Sequence, residues 1–260
     1  MDTIFAYPPC YTPQVTNNLL IMNNDTIQKL AIPIAIIIAG GLIAGAVYFA
    51  SIGSGNVGTG IPTPSAKVDI KDVKIAGDPF IGDPDAPVIL AYWSDHQCPY
   101  CKAVEVGGVP QIPLTPAIPE LIRDYVDTGK LKIVFKDYPF LGPDSMTAAL
   151  YEHAIWELYP DKFYEWRKAL MLAQDEENAG FGNEATILEL IKTVPDMDGD
   201  RIKKQVAEKT DIYAKSIDDD KQEGISFGIQ GTPGFITGTK LLAGAADPSA
   251  FKAVIDAQLK

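Results

Sequence analysis

Apolar and polar positions divide the chain into unequal parts. The longest apolar run is residues 30–50, which carry no charged side chain. A membrane-spanning helix needs roughly 20 apolar residues, and a core helix of that length would show a polar face. The run therefore predicts a single transmembrane helix. Its rival is a cleaved signal peptide, with Ala44-Gly45-Ala46 as the small-residue site, but a signal core is usually only about 7–15 residues. Residues 1–29 are polar and turn-rich, which predicts a disordered tail. Residues 51–66 are rich in Gly, Ser and Pro and predict a flexible linker. Lys29 abuts the apolar run, and the next charge is Lys67. Positive charge at one end puts the N-terminus in the cytoplasm and residues 51–260 outside.

From residue 67 the pattern is that of a globular domain, 67–260. Val68-Asp69-Ile70 alternates like a strand. Gly82-Asp83-Pro84-Asp85 reads as a turn, and 88–94 as a buried strand. The strand runs into Cys98, with Pro99 at the first position of a helix that stops at Gly107-Gly108. Pro110, Pro113, Pro116 and Pro119 then recur every third residue. That period suits polyproline II or a stiff loop, with Pro119 opening the next helix. Residues 120–127 read helical and 131–135 as a strand. Gly142-Pro143-Asp144 is a turn with a helix cap. Residues 145–227 are helical, with breaks near 159–161, 180–182 and 194–196. Trp156, Phe163, Tyr164 and Trp166 recur there at helical spacing and read as core. Thr237-Gly238-Thr239-Lys240 signals a hairpin, and 251–259 a closing helix. The class is α/β. A parallel strand–helix–strand start with a right-handed crossover is followed by a helical insertion and an antiparallel hairpin.

Net charge is −12, with 34 acidic against 22 basic residues. That balance argues against nucleic-acid binding, which needs clustered Lys and Arg. Three cysteines and two histidines leave little for a metal centre. Cys98-Pro99-Tyr100-Cys101 is the chemical focus. Zinc would want four Cys or His ligands; His96 is near, but His153 lies in a helix and Cys10 falls across the membrane. A purely structural disulfide between residues three apart would constrain little. A redox pair fits best. Cys98 at a helix start gains from the free N–H groups and the helix dipole. It is the expected nucleophile, the more exposed of the two, with Cys101 resolving the mixed disulfide. No cofactor is needed.

The combination of Gly82-Asp83-Pro84-Asp85-Ala86-Pro87-Val88, Ser94-Asp95-His96-Gln97-Cys98-Pro99-Tyr100-Cys101-Lys102, Tyr125-Val126-Asp127-Thr128-Gly129-Lys130 and Gly231-Thr232-Pro233 resembles the DsbA-like thioredoxin-fold family, in its membrane-anchored branch. The resemblance covers about residues 67–260. It implies a thioredoxin fold with an inserted helical domain over about 145–227. It implies catalysis by Cys98 and Cys101, with Pro233 as the cis-proline facing them and Thr232 offering backbone to a substrate strand. Pro99, Tyr100 and His96 would tune the pair. The implied partners are substrate proteins with cysteine thiols and a membrane quinone-linked thiol oxidase. The implied activity is protein thiol–disulfide exchange outside the cytoplasm, in the oxidising direction. A reductase or isomerase of the same fold is an alternative, as is a tethered chaperone or peptide-binding module.

Some positions depart from the family pattern. Many such enzymes carry a buried acid six residues before the first cysteine; here that position is Tyr92. Asp95 reads as a loop or helix-capping residue. His96, where an aromatic is common, reads as a cation near the thiolate or as an exposed loop residue. The segment 107–119 is long and predicts a wall beside the site. Asp196-Met197-Asp198-Gly199-Asp200 resembles a calcium loop, but its glycine is one place early and Ala207 stands where Glu is needed. An acidic helix N-terminus explains it better.

Overall fold

The computed structural model describes residues 68–176 and 179–260. The expected tail, anchor and linker lie outside the described residues. Among the described residues no helix is long and apolar enough to cross a membrane.

Five strands form one sheet: β1 Phe80–Ile81, β2 Val88–Ser94, β3 Leu131–Asp137, β4 Gly234–Thr237 and β5 Lys240–Ala243, in the order β1-β3-β2-β4-β5. β2 and β3 pair in parallel, from Val88 opposite Leu131 to Ser94 opposite Asp137. β4 runs antiparallel to β2, and β5 antiparallel to β4. Alternate side chains of a strand face opposite sides, and β2 is buried on both. Leu90 and Tyr92 join the cluster that holds Cys98 and Cys101. Ala91 and Trp93 join a second cluster with Tyr138 and Ile236.

The helices are α1 Pro99–Glu105, α2 Ala117–Leu121, α3 Pro143–Leu158, α4 Phe163–Ala173, α5 Glu184–Ile191, α6 Gly199–Ser226 and α7 Pro248–Gln258. α2 continues as a wider π-type turn over Ile122–Val126. Helices α3 to α6 are the insertion between β3 and β4. They have their own core, with Tyr151 and Ile155 of α3 packed among Trp166 and Leu170 of α4, Ile187 of α5 and Ile202 of α6. Trp166 and Phe163 are fully buried, and Trp156 and Tyr164 pack partly buried against the sheet core.

Two local expectations are corrected. Residues 68–70 are not a strand. The Asp69 carboxylate accepts from Lys71 N–H and starts a 3-10 turn at Ile70–Asp72. The edge strand is instead the two-residue β1, too short for any alternation to reveal. The helix after the proline-rich stretch opens at Ala117, not Pro119. Proline tolerates the whole first turn, because those N–H groups have no intrahelical partner. The expected turn and cap at Gly142-Pro143-Asp144 are where α3 begins, with Gly142 as the cap at φ of 120°.

Candidate active site

The site begins where β2 ends. Asp95 follows the strand and is buried, and it organises the loop. Its Oδ1 accepts from Gln97 N–H at 2.8 Å and from Ser145 Oγ at 2.6 Å. Its Oδ2 accepts from Phe140 and Leu141 N–H at 2.8 and 3.1 Å. The expected loop role of Asp95 is thus a four-bond clamp between the site and the start of α3. Cys98 then caps α1, with Pro99 in its first turn.

Both cysteines are free thiols and both are buried. Cys98 is 3% exposed and Cys101 not at all. The order of exposure is as expected, but the sulfur of Cys98 barely meets solvent. Tyr100, by contrast, is 51% exposed beside it. The Thr232–Pro233 peptide bond is cis, and the Cys98 thiol donates to Thr232 O at 3.4 Å. A residue 134 positions away thus meets the nucleophile candidate directly.

The two thiols are set apart electrostatically. A hydrogen bond from Cys101 holds the Cys98 thiol down to about 7, aided by Thr232 and by the N–H groups of Cys101 and Tyr100 against the cost of burial. The Thr232 hydroxyl is buried without a hydrogen-bond partner. Burial pushes Cys101 well above the ordinary thiol range, and the Cys98 charge adds to this. A thiolate forms on Cys98 first, as nucleophilic exchange requires.

Behind the pair lies a buried polar network. Tyr92 Oη donates to Glu105 Oε1 at 2.9 Å. Arg167 of α4 bonds Glu105 through Nε and Nη2, at 3.0 and 2.8 Å. It also bonds both oxygens of Glu152 from Nη1, at 2.8 and 2.7 Å, and Ser94 Oγ at 2.7 Å. His96 is not an exposed loop residue. It is buried, and its Nε2 lies 2.8 Å from Glu152 Oε2. Gln174 donates to the carbonyls of His96 and Cys98, at 2.8 and 3.2 Å. Sequence reasoning missed Glu105, Glu152, Arg167 and Gln174. Only Glu105 left a trace, four residues after Cys101 on the same helix face.

The proline-rich segment does border the site. Gly108, Val109, Pro110 and Gln111 face Pro99 and Lys102 across a cleft of about 520 Å³. Among the described residues one group, His96, Asp137 and Glu152, has the spacing to hold a metal ion. Its carboxylates are already paired, Glu152 with Arg167 and His96, and Asp137 with His153 at 2.7 Å. The segment 196–200 starts α6, with Asp198 accepting from Asp200 and Arg201 N–H as an ordinary cap.

A four-stranded core with one short added edge, a Cys-x-x-Cys pair at a helix start and a cis-proline against it define a thiol–disulfide oxidoreductase of thioredoxin fold. The thioredoxin family profile matches residues 74–257, and the chain belongs to that family. It is 26% identical over 186 residues to disulfide bond formation protein D of Bacillus subtilis, covering 72% of this chain and 79% of that one. It is 29% identical over 182 residues to a probable disulfide bond formation protein D of Bacillus cereus, covering 69% and 78%. Oxidised BdbD from Bacillus subtilis superposes with a TM-score of 0.62 at 25% identity, over 72% of this chain and 95% of that one. The thiol–disulfide exchange protein alpha-DsbA2 of Wolbachia pipientis gives 0.59 at 25% identity, over 70% and 87%.

Proposed function

We propose that the chain is a membrane-tethered, extracytoplasmic oxidase of protein thiols. It passes the Cys98–Cys101 disulfide to cysteine pairs in folding proteins. The observation that carries the exchange chemistry is the free Cys98–Cys101 pair at the start of α1, with the Cys98 thiol against the carbonyl of Thr232 next to the cis Pro233. Cys98 is the nucleophile and Cys101 resolves. Thr232 and Pro233 border the substrate strand, Pro99 and Tyr100 tune the helix start, and His96 acts at one remove through Glu152. Residues 30–50 anchor the domain, 1–29 stay in the cytoplasm, and 51–66 act as a flexible tether. A membrane quinone-linked thiol oxidase restores the disulfide, and no cofactor is bound.

The oxidising direction draws on the relatives, which are named for disulfide bond formation. Reduction or isomerisation by the same pair is the alternative reading. The reduction potential of the full-length chain in a glutathione buffer decides the direction. A value well above about −200 mV supports the oxidase, and one near about −270 mV the reductase. Cys98→Ser separates both from a tethered chaperone, which would keep its client activity while an oxidoreductase loses it.

A further inference from the structure

Residues 95–98 carry the chain from β2 to the nucleophile, and the helical insertion reaches each of them. Ser145 Oγ donates to Asp95 at 2.6 Å. Glu152 lies 2.8 Å from His96 Nε2. Phe181 O accepts from Gln97 Nε2 at 2.8 Å. Gln174 Nε2 donates to His96 O at 2.8 Å and to Cys98 O at 3.2 Å. Of these four insertion residues, only Gln174 bonds Cys98 itself.

Gln174 follows the last residue of α4 and is buried. Its NH2 group has two hydrogens, one for each carbonyl. Its own backbone carbonyl accepts from Lys102 Nζ at 2.7 Å. Lys102 N–H in turn donates to Cys98 O at 3.1 Å, the bond that opens α1. Hydrogen bonds thus close a ring through Cys98, Gln174 and Lys102. Cys98 O takes two donors, one for each lone pair.

A carbonyl oxygen is the negative end of a peptide dipole. Two of them, on His96 and Cys98, face the Gln174 amide beside the nucleophile. Left bare in a buried place, each would cost desolvation, and both would oppose a negative charge on the Cys98 sulfur. Low local dielectric enlarges that opposition. The same bonds hold Cys98 as the extended cap of α1, at ψ of 119°, where helix N–H groups favour a thiolate.

Resting on the exchange reading above, we propose that Gln174 is a positioning residue through which the insertion sets the thiolate of Cys98: its amide caps the carbonyls of His96 and Cys98 and holds the nucleophile at the start of α1. The nucleophile is thereby tuned from a helix end more than 70 positions away in the chain.

Gln174→Met in the reduced full-length chain tests this, since methionine keeps the length of the side chain and removes both donors. The pH profile of Cys98 alkylation by iodoacetamide is the readout. Its midpoint is expected to rise by about one pH unit, so that alkylation at pH 6 slows roughly tenfold. The plateau at high pH, where Cys98 is wholly thiolate, is expected to stay within about twofold of wild type. Exchange with oxidised glutathione at pH 6 is expected to slow in step. Gln174→Glu keeps the shape of the side chain and sets a carboxyl group against the two carbonyls; it is also expected to raise the midpoint, and it serves if the methionine protein misfolds. A folded variant with a lower urea midpoint and an unmoved alkylation midpoint overturns the proposal, because a merely structural bond gives that result. A wild-type chain that does not exchange with glutathione at all defeats the exchange reading itself and takes this one with it.

Discussion

Arg167 of the inserted helices closes a two-point bond on Glu105 of the cysteine helix, through Nη2–Oε1 at 2.8 Å and Nε–Oε2 at 3.0 Å. The same guanidinium grips Glu152 and lies 4.3 Å from the Phe135 ring centre. Insertion, sheet and active helix therefore meet on one side chain. Arg167→Met leaves two buried carboxylates without their counter-charge. We expect a loss of about 3–5 kcal/mol, read as a lower urea midpoint at an unchanged slope. An unaltered midpoint would mean the carboxylates find other partners.

Cys98 should titrate near pH 7 in the reduced protein, seen as thiolate absorbance near 240 nm. Its largest stabiliser is the hydrogen bond from Cys101, so Cys101→Ala should move the midpoint up toward the free-thiol range. The folded value lies below the unfolded one. The reduced protein therefore gains stability as pH rises from about 7 to 9, and loses it as pH falls through 7. Relative to Cys98→Ala the gain is about 2–3 kcal/mol. Unfolding curves at the two pH values measure it, and the oxidised protein should lack it.

His153 carries a pH dependence of opposite sense. Burial alone would lower its pKa, but the Asp137 carboxylate at 2.7 Å holds the imidazolium, up to about 9. The folded value exceeds the unfolded one, so this stability is full below about pH 6.5 and disappears as pH rises through 9. We expect His153→Gln to cost about 3 kcal/mol at pH 6 and much less at pH 9.5. A pH-independent difference would assign His153 a packing role only.

Gly224 of α6 lies against the Trp93 indole, where an added Cβ would sit 2.8 Å from Nε1 and 2.9 Å from Cδ1. That nitrogen donates to Asp220 O at 2.9 Å. Gly224→Ala should raise helix propensity yet destabilise the protein by about 1–3 kcal/mol through overpacking. Thermal melting and Trp fluorescence check both effects.

The segment 107–119 walls the cleft beside Pro99. Deleting residues 108–111 should change exchange with folded protein substrates severalfold and leave exchange with glutathione alone. Equal rates on every substrate would remove its role in selection.

The linear chain by itself determined the strand 88–94, the helix start at Pro99, the breaks in the helical block and the hairpin at 237–240. Each rests on local chemistry: alternation, a proline in a first turn, glycine and proline as breakers. The candidate pair was legible because only two residues separate its members, and Pro233 because it sits in a recognisable run. The edge strand Phe80–Ile81 was not, since two residues carry no period and its pairing with β3 is a long-range matter. Nor could the sequence say that His96 turns inward to Glu152, or that a carboxylate reaches Tyr92 from Glu105. Those contacts join residues 56 and 13 positions apart; the packing of the insertion over the sheet makes the first, and the packing of α1 on the sheet makes the second. Tertiary structure also decided how buried the thiols are. Exposure depends on what folds back over a residue, and at Cys98 that is the Thr232 loop from far along the chain.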